Sequence, residues 1–196
     1  MVEDPDSWSG FRYRLDVAAR TVGDAVDLVG GWLFDRARAG WDVTVFVAEP
    51  GDPRPLRILG VEMGDLDGAF GGPQPSPAAL SVAAELYAID PRLRDVVRAT
   101  LSRCTPEITV WGGQLPGLGR ETVVARHTLS VAARTHKAHA LTATDIRIAA
   151  VEPTEVLGLV RRNPRVAEDH LCEQRASRVV GPVAGAYLAG GGWDGA

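Results

Sequence analysis

The chain has 196 residues, 45% of them apolar, and a formal net charge of −4. That is enough apolar material for one sizeable core, and the acidic balance gives no long-range attraction to nucleic acid or anionic lipid. No apolar run approaches the roughly 18 residues a membrane-spanning helix needs, and the acidic start Met1-Val-Glu-Asp is unlike a secretion signal.

Residues 1–10 read as a lead-in, followed by a first strand over Phe11 to Ala18. Thr21-Val-Gly-Asp24 has the spacing of a capping box, and Val22, Val26, Val29, Leu33 and Ala37 then share one helical face. Gly30-Gly31 interrupts that helix, which points to close packing against a neighbour. Gly40 is placed to end it in a left-handed cap. Trp41 to Ala48 alternates as a second strand, and Leu56 to Val61 reads as a third, after the turn-forming segment Pro50 to Pro55. So short a link predicts antiparallel pairing of these two strands. Asp65 and Asp67 fall in a segment read as a solvated turn. Ser76-Pro77 and Asp90-Pro91 each have the form of an N-cap followed by proline, predicting helices to Ile89 and across Leu93, Val96, Val97, Leu101 and Cys104.

Glu107 to Trp111 reads as the next strand, Gly112 to Gly119 as a glycine-rich loop, and Glu121 to Leu141 as a long helix. On that helix Arg126, Ser130, Arg134 and Lys137 share a polar arc, so His136 and His139 are expected on the buried side. Ile146 to Val151 is a candidate strand. Thr154 to Arg162 and Asn163 to Arg178 are predicted helices, and Gly181 to Ala196 is a Gly/Ala-rich tail.

The expected fold class is therefore α/β: a mixed central sheet of about five strands flanked by helices, with at least one antiparallel pair. The expected domain organisation is a lead-in over 1–10, one domain over 11–180 and a tail over 181–196.

Signatures of chemistry are sparse. The loop Gly112-Gly-Gln-Leu-Pro-Gly-Leu-Gly-Arg120 has the first glycine spacing of a phosphate-binding loop, but Leu118 and Gly119 stand where Lys and Ser/Thr are needed. It remains the candidate ligand site. Gly113, Gly117 and Gly119 would let the backbone approach a small anion, Arg120 would contact it, and a helix N-terminus would lie just behind. His136, His139, His170 and Cys172 have no recognised metal-ligand spacing, so neither metal nor cofactor is expected. No Gly-x-Ser-x-Gly elbow occurs, and Cys104 reads as a packed apolar residue.

The 21 basic residues include one lysine, Lys137, and the chain holds one asparagine, Asn163, a bias of GC-rich coding that suggests a bacterial source. Two widely separated cysteines fit a reduced compartment, so the expected location is cytoplasmic.

With acid/base, nucleophile and metal signatures missing, the leading expectation is a non-catalytic binding or regulatory protein acting on a protein partner or a small anionic ligand. The alternative is an enzyme with dispersed active-site residues that binds its anionic ligand at Gly112–Arg120. A second alternative is DNA recognition by a helix-turn-helix over Thr154 to Arg178, against which the acidic charge argues. Nucleic acid and membrane are accordingly not expected as partners. Titration with random-sequence duplex DNA at physiological salt should give a dissociation constant no tighter than about micromolar, the range of non-specific contacts. Nanomolar, sequence-dependent binding would reverse that assignment.

Overall fold

A computed structural model describes residues 13–70, 77–102, 107–118, 121–144, 146 and 150–161. Its elements in chain order are β1 (Arg14–Ala19), α1 (Val22–Arg38), β2 (Asp42–Val47), α2 (Arg54–Ile58), β3 (Glu62–Asp65), α3 (Leu66–Phe70), β4 (Ala79–Ala83), α4 (Ala84–Ile89), α5 (Pro91–Leu101), β5 (Glu107–Trp111), β6 (Thr122–Thr128), α6 (Val131–Ala143) and β7 (Thr154–Val160). The strands form one seven-stranded sheet in the order β3-β2-β1-β4-β5-β7-β6. The first five are mutually parallel, and β7 runs antiparallel to both β5 and β6. The mixed α/β class holds, with seven strands among the described residues where about five are expected.

The right-handed sense usual for such crossovers puts α1 and α2, which connect outward from β1 to β3, on one face. The return to β4 and β5 puts α3, α4 and α5 on the other. Contacts among α1, α2 and α6 complete the first layer. Leu15, Val17 and Ala19 of β1 and Val43, Val45 and Val47 of β2 point into it and are all buried. Alternate positions on the same strands, Arg14, Asp16, Thr44 and Phe46, face the α3 side.

Several local readings stand. Thr21 caps α1, its Oγ1 accepting the Asp24 N–H at 3.1 Å, and Gly40 follows the helix at φ 89°. Asp90 caps α5 by accepting the Arg92 N–H. Others are corrected. The expected third strand over Leu56 to Val61 is largely the short helix α2, which supplies a compact crossover, so β2 and β3 pair in parallel. Antiparallel pairing occurs instead at β5–β7–β6. The expected helix from Pro77 begins as strand β4, and Thr154–Val160 is strand β7 rather than a helix. No helix-turn-helix can therefore start at Thr154. Residues 162–196, with Asn163, Pro164, His170, Cys172 and the tail, lie outside the described residues, as do the lead-in, Cys104 and Ile148.

The long helix predicted over Glu121 to Leu141 is in fact β6 followed by α6, with Ser130 as the N-cap accepting from Ala133 N–H. The predicted rotation is also overturned. Lys137 is buried, His139 is exposed, and His136 is half-buried, stacked on Phe34 with ring centroids 4.4 Å apart. Arg126 and Arg134 are exposed as expected, although Arg126 lies on the strand.

Lys137 is drawn inward by Glu155 of β7, whose Oε1 lies 2.7 Å from the lysine Nζ. The same carboxylate accepts the N–H groups of Gly31 at 2.9 Å and Trp32 at 2.8 Å, both in the middle of α1. Lys137 Nζ in turn donates to the Asp27 carbonyl. In an undisturbed α-helix the Gly31 N–H donates to that same carbonyl, four residues back. An ion pair from two other elements thus engages both ends of one helical rung. Gly31 fits this place because a Cβ there would lie 2.5 Å from Leu129. Burial pushes the Glu155 carboxyl up, while Lys137 and the two amides pull it down.

Removing one partner of such a pair leaves a buried charge. Lys137→Met or Glu155→Gln alone should cost about 3–5 kcal/mol in denaturant unfolding. The double replacement should recover much of that loss, and equal losses in single and double variants would show that the pair is not coupled.

Candidate functional site

In an open α/β sheet the connections leave in opposite directions at one point, opening a crevice at the carboxyl ends of the strands. Here that point lies between β1 and β4. Arg20 follows β1 directly, and Glu49 lies two residues beyond β2. Backbone bonds from Ala48 N–H to Ala19 carbonyl and from Glu49 N–H to Arg20 carbonyl hold the two segments side by side. The Arg20 guanidinium donates to Glu49 Oε1 at 2.7 Å and also reaches Glu85 Oε1, on the first turn of α4. One cation therefore spans the switch point, from the end of β2 to the end of β4. Hydrogen bonds and charge from both carboxylates raise the Arg20 pKa above its usual value, so it stays protonated. All three side chains are well exposed, so the arrangement is accessible to a ligand.

The rest of the rim comes from the same strand ends. Thr21 Oγ1 donates to Asp24 Oδ2 at 2.7 Å at the start of α1. The loop after β5 forms the facing wall. A Cβ on Gly113 would lie 3.1 Å from that of Ala84, the neighbour of Glu85, and a Cβ on Gly112 would lie 3.3 Å from Leu28 of α1. Gly112, Gly113 and Gly117 have φ of 72°, 152° and 72°, conformations that favour glycine.

The predicted ligand residues are thus partly located. Gly113 and Gly117 lie in the loop at the carboxyl end of β5, while Gly119 and Arg120 fall outside the described residues. The helix N-terminus expected behind them is corrected, since the next element is strand β6. As rim residues, Arg20, Glu49 and Glu85 escape the sequence reading, which takes Asp24 only as part of a helix cap. Arg20 and Glu49 follow apolar strand runs, a usable signal, but Glu85 was hidden because β4 has the composition of a helix.

No three His, Cys, Asp or Glu side chains converge as a metal site requires, among the described residues. His127 is occupied structurally: its Nε2–H donates to Asp35 Oδ2 at 2.8 Å, and Ser130 Oγ donates to Asp35 Oδ1 at 2.7 Å. Burial alone would raise the Asp35 pKa, but these hydrogen bonds outweigh it and hold the carboxyl below the usual range.

No family model matches the sequence, and no curated protein matches it. Solved structures do share its fold. The zinc-inhibited form of a teicoplanin deacetylase superposes with a TM-score of 0.54 at 14% identity, over 76% of this chain and 98% of that one. A triple mutant of a deacetylase involved in the teicoplanin biosynthetic pathway gives 0.52 at 13% identity, over 78% and 99%. An A40926 pseudoaglycone deacetylase gives 0.51 at 15%, over 76% and 97%. At such identities the likeness establishes the fold. It also counts against the leading expectation of a non-catalytic binding protein, because these three solved structures are deacetylases. The alternative of an enzyme with dispersed residues is the better supported.

Thr21 serves both the helix and the rim. Thr21→Ala should lower stability by about 1 kcal/mol through loss of the cap, and Thr21→Ser should restore it. Thermal or denaturant unfolding of the three proteins checks this, and an unchanged Thr21→Ala would show that the cap is dispensable.

Proposed function

We propose that the chain is a hydrolytic enzyme of deacetylase type that removes an acetyl group from a small-molecule substrate in the β1/β4 crevice. The observation that carries this reading is Arg20 held between Glu49 and Glu85 at the switch point, in a fold shared with deacetylases. Hydrolysis of an acetyl amide needs a base to take a proton from water and a positive group to stabilise the oxyanion. Glu85 or Glu49 supplies the base and Arg20 the charge. Water adds to the acetyl carbon, the C–N bond breaks, the amine takes the proton, and acetate is released. The loop of Gly113, Gly117, Gly119 and Arg120 is the proposed contact for an anionic part of substrate or product. The composition and the two separated cysteines favour the reduced cytoplasm of a bacterium as its location.

Acetate release from N-acetylated amines and from 4-nitrophenyl acetate tests the proposal. Glu85→Gln should lower kcat by about 10²-fold or more, the usual contribution of a general base, with KM little changed. Absence of acetate release from every substrate, or full activity in both Glu85→Gln and Glu49→Gln, would overturn it.

A further inference from the structure

A cavity of about 440 Å³ opens on the α3 side of the sheet and shares no residue with the crevice. Arg14 and Asp16 of β1, Thr44 and Phe46 of β2, and Asp65 at the end of β3 line it, with α3 as the remaining wall. Register sets Asp16 beside Thr44 and Arg14 beside Asp42. Gly64 lies beside Phe46, and a Cβ there would lie 2.5 Å from the Phe46 ring, so the glycine gives the aromatic wall its position.

The unusual member is Asp16. It is 6% exposed, in a central strand of a parallel sheet where apolar residues are the rule. Its Oδ2 accepts from Arg14 at 3.1 Å. Its Oδ1 is ion-paired with Arg14 Nε at 2.9 Å but forms no hydrogen bond among the described residues. A buried carboxylate oxygen that forms no hydrogen bond is costly to the fold even beside a cation, which favours a role for it in binding. The surrounding charge selects the ligand. Asp16, Asp42 and Asp65 outnumber the Arg14 guanidinium, and Phe46 adds an apolar wall.

We infer that this cavity binds a small organic cation, an aromatic or alkyl ammonium that donates to Asp16 Oδ1 and lies along Phe46. Its volume is within the range of small-ligand pockets, roughly 300–1,000 Å³. Nothing in this inference depends on the chemistry of the β1/β4 crevice.

Three compounds on one skeleton separate charge from shape: tyramine as the cation, tyrosol as the neutral alcohol and 4-hydroxyphenylacetate as the anion. In calorimetric or NMR titration of the full chain, tyramine should bind at least about tenfold more tightly than tyrosol, a difference of about 1.4 kcal/mol. The anion should not bind. Asp16→Asn should remove most of the preference for tyramine while leaving tyrosol unchanged. Should Asp16→Asn fail to fold, Asp65→Asn at the exposed rim should still reduce the tyramine-to-tyrosol ratio. Equal binding of all three compounds, tyramine affinity unaltered in a folded Asp16→Asn, or no tyramine binding up to about 10 mM would each overturn the inference.

Discussion

Glu155 completes a hydrogen-bond ladder that it does not belong to. Its carboxylate takes the amides of Gly31 and Trp32 while Lys137 takes the carbonyl of Asp27, so β7 and α6 grip both ends of a rung of α1. A helix packed only by apolar contacts can slide or rotate by small amounts at low cost. Here a shift of α1 relative to β7 would strand a carboxylate, an ammonium and three backbone groups away from water at once. The pair fixes the pitch and position of α1, and therefore the placement of its first turn, where Thr21 and Asp24 meet the crevice. It also ties the antiparallel β6–β7 corner to the parallel part of the sheet. The Asp35 cluster with His127 and Ser130 adds a second tie between the far end of α1 and the start of α6.

How much of this was legible in the sequence depended on how each segment is solvated. Helix α1 announced itself because one face meets water and the other meets the sheet, and its ends carry Thr21 and Gly40. Helix α5 did so through Asp90-Pro91. By contrast β4 is buried along its whole length, so Ala79-Leu-Ser-Val-Ala83 has no alternation to betray a strand, and its small residues suit a helix equally well. The β6–α6 boundary was lost for a different reason. Thr122 to Thr128 lacks strong punctuation before Ser130, and the one feature that sets the helix rotation is Lys137. Any wheel drawn from polarity alone sends a lysine to solvent. Its buried partner is 18 residues away, on a segment whose pattern reads as a helix.

The crevice shows the same limit in functional terms. Neither Arg20, Glu49 nor Glu85 belongs to a motif, and 65 residues separate Arg20 from Glu85. Topology alone makes them neighbours, through the reversal of strand order between β1 and β4. The glycine-rich loop after β5 was legible as a loop at the end of a strand, and its close approach to Ala84 and Leu28 sets it beside the β1/β4 crevice. What followed it was not legible, because Gly119 to Glu121 could lead into either a helix or an edge strand. The absence of motifs is therefore no argument for a non-catalytic protein. Dispersed residues are the normal condition of a site assembled at strand ends.

The buried position of Lys137 has an experimental side as well. It is the only lysine in the chain, and its side chain is 7% exposed. Amine-directed reagents therefore meet no lysine on the surface of the folded protein, and modification of Lys137 is gated by separation of α1, α6 and β7. The residue that closes the helical rung is thus also a built-in clock, one whose rate of acylation reports how often that part of the core opens.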